Sequence, residues 1–158
     1  MGWLKLWLPA IGWAGVISWA STDAFSATHT SGFILPILHW LFPHASAETL
    51  DWLHLCIRKA GHFAEYFVFS LFLLRALRGE HRGWQLRWAI AALAIAAGYS
   101  VLDEFHQSFV LSRAASPWDS LIDTSGAATA QVALWLWFWF HARRLPDAPD
   151  HATPRAHD

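Results

Sequence analysis

Three long apolar stretches of the chain carry no Asp, Glu, Lys or Arg side chain, at residues 6–22, 88–102 and 124–142. A helix needs about 20 mostly apolar residues to cross the hydrocarbon core of a bilayer. Each stretch comes close to that length and is bounded by charged residues. The stretches therefore predict three membrane-spanning helices.

A fourth span is predicted where two ionisable residues interrupt an otherwise apolar stretch. Residues 60–77 are rich in Phe and Leu but include His62 and Glu65. Ionisable groups inside a bilayer are costly and usually pair with each other or serve a function. The complete set of predicted spans is 4–22, 60–77, 88–105 and 118–141.

The segment between the first two spans, residues 24–47, is also free of charged residues, but it makes a poor membrane span. Gly32, Pro36 and Pro43 interrupt it. A helix in this segment should end before Pro43, because proline disfavours the helical conformation of the preceding residue. We expect a short amphipathic helix to follow over residues 47–57. The predicted fold class is all-α: an integral membrane four-helix bundle with an interfacial or re-entrant segment between its first and second spans.

Composition agrees with a membrane protein and excludes other classes. Only 15% of the residues are charged, against about 25% in soluble domains, and tryptophan, which prefers bilayer interfaces, occurs 12 times. The net charge of -1 gives no electrostatic basis for nucleic-acid binding. Cys56 is the single cysteine, so neither an intrachain disulfide nor a cysteine-rich metal site can form.

Lysine and arginine are unevenly distributed between the two ends of the predicted bundle. One side carries eight of them, and the other carries three: Arg58, Lys59 and Arg113. Basic residues favour the cytoplasmic side, so both termini are predicted to be cytoplasmic. Residues 1–145 are predicted to form the membrane domain and residues 146–158 a disordered cytoplasmic tail. The alternative is that the N-terminal segment is a cleaved secretory signal.

The three basic residues on the predicted outer side lie beside other polar residues. On the second span, Arg58, His62 and Glu65 follow one stripe of a helix. The third span ends in a polar run, the fourth begins with another, and Arg113 lies between them. In this topology the groups share one depth, and we expect them to meet there. The polar residues concerned are Arg58, Lys59, His62, Glu65, Tyr66, Asp103, Glu104, Gln107, Arg113, Asp119 and Asp123.

These residues also have structural interpretations. Asp119 completes a capping box at the start of the fourth span. Asp103 and Gln107 are candidates for simple solvation at a helix end. His62 and Glu65 are candidates for an ion pair with a neighbouring arginine.

Small residues follow the start of the fourth span. Gly126, Ala127 and Ala130 fall on one face of the helix. Small residues let two helix backbones approach closely in a membrane. The sequence therefore predicts that another helix packs tightly on this face.

The motifs as a set resemble the VanZ-like family of small membrane proteins. Arg58-Lys59-x-x-His62-x-x-Glu65-Tyr66 is followed by Asp103-Glu104-x-His106-Gln107, and then by Arg113, Asp119, Asp123 and Gly126. The resemblance covers residues 58–127. It implies that the family's polar motif falls on Arg58, Lys59, His62, Glu65, Tyr66, Asp103, Glu104, Gln107, Arg113 and Asp119. It also implies a link to resistance against the glycopeptide antibiotic teicoplanin, and it assigns no reaction.

Three functions fit this pattern. The first is binding of an anionic lipid-linked envelope component or a glycopeptide at the outer leaflet, where Arg58, Lys59 and Arg113 contact the anion. The second is an intramembrane enzyme acting on such a lipid, in which Glu65 or Glu104 is the general base and His62 the acid. The third is a structural scaffold in which every polar group is paired.

A metal site is the alternative to a protein without cofactors. His62-x-x-Glu65 and Asp103-x-x-His106 each place a histidine and a carboxylate one helical turn apart, as helical-bundle metal sites do. A divalent metal requires the two pairs to converge, and spacing alone does not establish this. Membrane lipid is the expected partner.

Overall fold

The computed structural model describes residues 2–23, 26–81, 83–109 and 116–142. Within these ranges the chain forms five α-helices and no β-strand: α1 (Trp3–Ala20), α2 (Ala27–Leu41), α3 (Ala47–Arg78), α4 (Leu86–Gln107) and α5 (Pro117–Ala142). The predicted all-α class is confirmed. Arg113 and the predicted tail, residues 146–158, lie outside the described residues.

The segment between the first two predicted spans contains α2 and the start of α3. Ser26 caps α2 with its side-chain oxygen, and the helix ends at Leu41, before Pro43 as the sequence predicts. Ser46 caps α3 in the same way. Serine is favoured at this position because its hydroxyl accepts a hydrogen bond from a backbone N–H that lacks a partner within the helix.

Helix α3 is longer than predicted. The expected amphipathic piece, residues 47–57, and the expected span, residues 60–77, form one continuous helix of 32 residues. No proline interrupts this stretch. The helix ends at Arg78, and the next residue, Gly79, has a φ of 61°, a conformation that glycine adopts without a steric penalty.

Two helices of the described chain, α3 and α4, are long and apolar enough to cross a membrane, judged by length and composition. Large apolar side chains are also exposed on the other three helices. Trp3 of α1 is 68% exposed, Trp40 of α2 79% and Trp118 of α5 72%. Exposed apolar surface of this extent favours a lipid environment.

The long helices alternate in direction. The start of α1 lies beside the end of α3, where Leu6 approaches Gly79. The end of α1 lies beside the end of α4, where Ser21 hydrogen-bonds to Asp103. Helix α5 runs antiparallel to α4 and parallel to α3, as the side-chain contacts between these helices show.

This arrangement gives the bundle two chemically different ends. The polar end consists of the end of α1, residues 58–66 of α3, the end of α4 and the start of α5. The opposite end is the basic end. Among the described residues it carries Lys5, Arg75, Arg78 and Arg87.

Helix α5 packs closely on α3 through the predicted small-residue face. Ala127 and Ala130 are fully buried. Gly126 lies directly against the backbone carbonyl of Phe63, where an added Cβ would overlap it. The predicted close approach is therefore confirmed, and it brings the polar residues of the two helices within reach of each other.

Helix α1 is an integral part of the bundle. The indole N–H of Trp13 donates to the backbone carbonyl of Glu65 at 2.9 Å. The hydroxyl of Tyr99 donates to the carbonyl of Ala14 at 2.8 Å. These two hydrogen bonds join α1 to α3 and α4.

Candidate functional site

Asp123 of α5 is the centre of a buried polar cluster at the polar end. Its side chain is fully buried. The hydroxyl of Ser100 on α4 donates to Asp123 Oδ2 at 2.8 Å, and Nδ1 of His62 on α3 lies 3.4 Å from Oδ1. A buried carboxylate is costly unless it is paired or hydrogen-bonded. Ser100 meets this requirement at Oδ2, while the contact of Oδ1 with His62 is an ion-pair contact without hydrogen-bond geometry.

Tyr66 lies beside this cluster on α3. It is fully buried and close enough to Asp123 and Asp103 to interact electrostatically with both. Its hydroxyl lies near Ser100, yet it has no hydrogen-bond partner of acceptable geometry within the described chain.

A second buried carboxylate, Asp103 of α4, joins α1 to the cluster. It accepts a hydrogen bond from the Ser21 hydroxyl at 2.6 Å and another from Gln107 Nε2 at 2.8 Å. Asp103 and Gln107 are both buried, so simple solvation at a helix end does not describe them. His106 is exposed and takes no part in this contact.

Glu104 is the third carboxylate, and it connects α4 to the start of α5. Its Oε2 accepts the backbone N–H of Ser116 at 2.8 Å. An acidic group at this position is favourable because the N-terminus of a helix carries a partial positive charge. Its other oxygen, Oε1, is buried and has no hydrogen-bond partner in the ranges that the structure describes.

Lys59 and Asp119 form an ion pair between α3 and α5. Asp119 lies in the first turn of α5, as the sequence indicates, but its carboxylate contacts a lysine 60 positions earlier in the chain. Capping alone therefore does not account for Asp119. The ammonium of Lys59 already has an anionic partner, which reduces its availability to a ligand.

A small polar cavity lies between α1, α2 and α3 at the polar end. Its volume is about 190 Å³. Arg58, His62 and Glu65 line it, together with the hydroxyl-bearing residues Ser21 and Thr30. No carboxylate in the described part of the chain forms an ion pair with Arg58. The cavity therefore presents an arginine without a fixed counter-ion to an incoming ligand.

A larger groove of about 550 Å³ lies on another side of the cluster, between α4 and α5. Glu104 and Ser120 line it together with apolar residues that include Phe105 and Leu121. Glu104 also interacts electrostatically with His62, which lines the small cavity. The two openings thus border the same group of ionisable residues.

The candidate metal ligands do not form a recognisable metal centre. In residues 2–23, 26–81, 83–109 and 116–142, no three His, Cys, Asp or Glu side chains are placed to hold a metal ion together. His62 faces Asp123, and Asp103 is occupied by Ser21 and Gln107. The pairs His62–Glu65 and Asp103–His106, which the sequence offered as metal ligands, therefore do not converge on one site.

The described candidate residues lie at one end of the bundle, as expected, but in separate contacts. His62 contacts Asp123, and Lys59 contacts Asp119. The remaining described candidates at this end are Arg58, Glu65, Tyr66, Asp103, Glu104 and Gln107. Arg113 lies outside the described residues.

The sequence did not indicate Ser21 as a site residue, because its role depends on the contact of α1 with α4. A serine at the polar end of an apolar helix was the available signal.

Comparison with known proteins identifies the family. The model of the VanZ/LLP1 family matches residues 6–140, which covers all five helices almost completely. The chain belongs to the VanZ/LLP1 family. The match includes the first apolar stretch and α2, which the motifs alone do not cover. No curated protein and no solved structure matches the chain significantly.

Proposed function

We propose that this VanZ/LLP1 family protein crosses the bacterial inner membrane with α1, α3, α4 and α5, while α2 lies along the outer interface. Exposed apolar side chains on all four long helices support this arrangement. The basic end then faces the cytoplasm, where arginine and lysine are enriched, and both termini lie on that side. The polar end lies near the outer leaflet.

The function proposed for the polar end is binding of the anionic headgroup of a lipid-linked envelope component. The observation that carries the proposal is Arg58, which lines a polar cavity and has no ion-pair partner in the described chain. A guanidinium binds phosphate through two parallel hydrogen bonds, so arginine suits this ligand better than lysine does.

The size of the cavity favours a headgroup over a whole antibiotic. Pockets that enclose drug-sized ligands have volumes of about 300–1,000 Å³. The cavity beside Arg58, at about 190 Å³, is smaller than that range. A contribution to teicoplanin resistance would then act through the bound lipid, with no binding of the glycopeptide in this cavity.

The open cavity also bears on the scaffold alternative. A scaffold role is less well supported, since it requires every polar group to be paired and leaves no open polar cavity.

The experiment is a comparison of the lipids that co-purify with the protein from bacterial membranes, measured by mass spectrometry. Wild type is expected to enrich a phosphate-bearing polyprenyl lipid. Arg58→Gln should lower the amount about tenfold or more, because hydrogen bonds to a charged group contribute about 1.5–3 kcal/mol. Lys5→Gln, at the basic end, is the matched control. Equal lipid recovery from wild type and Arg58→Gln would contradict the proposal.

Acid–base catalysis on the bound lipid is a second candidate function. His62 lines the cavity, and a buried aspartate lies behind its Nδ1. A carboxylate that accepts a hydrogen bond from Nδ1 fixes the tautomer and orientation of a histidine that acts as general base, and such contacts tighten when a ligand binds. The other nitrogen, Nε2, is then the one available to a ligand or a water molecule.

A phosphoanhydride is the bond in a lipid-linked diphosphate that such a site would hydrolyse. Water would attack the terminal phosphorus while His62 takes a proton from it, and the bond between that phosphorus and the bridging oxygen would break. The polyprenyl monophosphate would leave and take up the proton, and inorganic phosphate would be released. Phosphate release from a polyprenyl diphosphate should then be detectable with wild type and absent with His62→Gln. Binding without turnover would leave the binding function and eliminate this second candidate.

A further inference from the structure

A groove with apolar walls and two arginines lies at the basic end, far from the cluster around Asp123. A groove of about 370 Å³ runs between α3 and α5. Leu74, Leu134 and Trp137 contribute apolar walls, while Arg75 and Arg78 lie at the mouth, in the last turn of α3. An apolar channel that ends in two cations has the two-part chemistry of an anionic phospholipid.

The two arginines have no anionic partner in the part of the chain that the structure describes. Neither Arg75 nor Arg78 forms an ion pair there, and Nε of Arg78 is buried without a hydrogen-bond acceptor. Two guanidinium groups without counter-ions favour an anionic group between them. The guanidinium of Arg78 also lies 5.7 Å from the centre of the Phe138 ring, which holds it over the groove.

We propose that this groove binds an anionic diacyl phospholipid, with the phosphate between Arg75 and Arg78 and an acyl chain between α3 and α5. Charge complementarity with the two arginines favours this occupant over a zwitterionic lipid. Trp137 and Phe138 lie at the same level, where aromatic side chains commonly meet lipid headgroups. The site does not depend on the function proposed for the polar end.

The test is native mass spectrometry of the full chain in detergent micelles, titrated with phosphatidylglycerol or phosphatidylcholine. Wild type should retain phosphatidylglycerol in preference. Arg75→Gln and Arg78→Gln should each weaken retention about fivefold, and the double variant about thirtyfold, as expected for arginines near an anionic headgroup. Arg87→Gln is the control, because Arg87 lies at the same end but stacks on Trp88, outside the groove.

Two further arms separate the possible outcomes. Free glycerol 3-phosphate should not displace the lipid at equal concentration, because it lacks the acyl chain; displacement would identify a plain phosphate site and overturn the proposal. Equal retention of both lipids by wild type would also overturn it, as would equal losses with Arg75→Gln and Arg87→Gln. Arg75 is exposed, so its variant tests the site even if Arg78→Gln fails to fold.

Discussion

Nδ1 of His62 lies 3.4 Å from Oδ1 of Asp123, and the second oxygen of that aspartate accepts a hydrogen bond from Ser100. The carboxylate is fully buried, whereas the histidine reaches the edge of a polar cavity. One side of the pair is thus fixed by the bundle and the other is open to a ligand. This arrangement connects the packing of α3, α4 and α5 with the chemistry of the site.

The first prediction concerns the packing of α5 on α3. Gly126→Ala should destabilise the protein by about 1–3 kcal/mol, the usual cost of overpacking, because the added methyl group overlaps the Phe63 backbone. Gly98→Ala is the control, since its added methyl meets nothing within 4 Å. Thermal unfolding in detergent measures both. Equal effects of the two variants would contradict the close approach.

The second prediction concerns the buried carboxylate. Asp123→Asn should destabilise the protein by about 1–3 kcal/mol, because the buried partners of the carboxylate lose their charged acceptor. Ser100→Ala combined with Asp123→Asn should show a coupling energy of about 0.5–3 kcal/mol, as expected for residues in direct contact. If the stability losses of the two single variants simply add in the double variant, the Ser100–Asp123 hydrogen bond does not contribute to stability. Asp51→Asn, at an exposed position of α3, is the control.

The third prediction separates a structural ion pair from a ligand contact. Lys59→Glu and Asp119→Lys should each lower stability by about 1 kcal/mol or less, since the side chains are 32% and 13% exposed. The double variant restores opposite charges and should regain both stability and lipid binding. If stability returns without lipid binding, Lys59 contacts the ligand as the sequence motif implies.

The fourth prediction concerns Glu104. Glu104→Gln should leave stability near that of wild type, because the amide oxygen still accepts the Ser116 N–H. It should abolish function in cells, scored as envelope-lipid composition or glycopeptide tolerance, because it removes the acidic group that lines the groove between α4 and α5. Glu48→Gln on the exposed start of α3 is the control. Retained function would assign Glu104 to capping α5 alone.

Local features of this fold were predictable because they depend on neighbouring residues. The small-residue face around Gly126 predicted the close contact with α3, and Pro43 marked the end of α2. The continuity of α3 was not predicted, because the polar residues before His62 suited a separate interfacial piece. In the structure they continue the helix beyond the apolar stretch.

Long-range pairing was the part that the sequence could not supply. The predicted topology placed the polar residues at one end, but it did not determine which side chains face each other. Asp103 pairs with Ser21 because α1 runs parallel to α4, and Lys59 pairs with Asp119 because α3 runs parallel to α5. These contacts depend on the rotation of each helix about its axis, which spacing in the sequence does not determine.

The most direct test of the central claim is the affinity of the purified protein, in lipid nanodiscs, for a polyprenyl phosphate and for the corresponding uncharged polyprenol. Wild type should bind the phosphate at least tenfold more tightly. Arg58→Gln should bind both compounds equally, and Arg58→Lys should recover only part of the difference, because lysine lacks the bidentate geometry. A preference for the phosphate that is unchanged in Arg58→Gln would contradict the assignment of the polar cavity as the headgroup site.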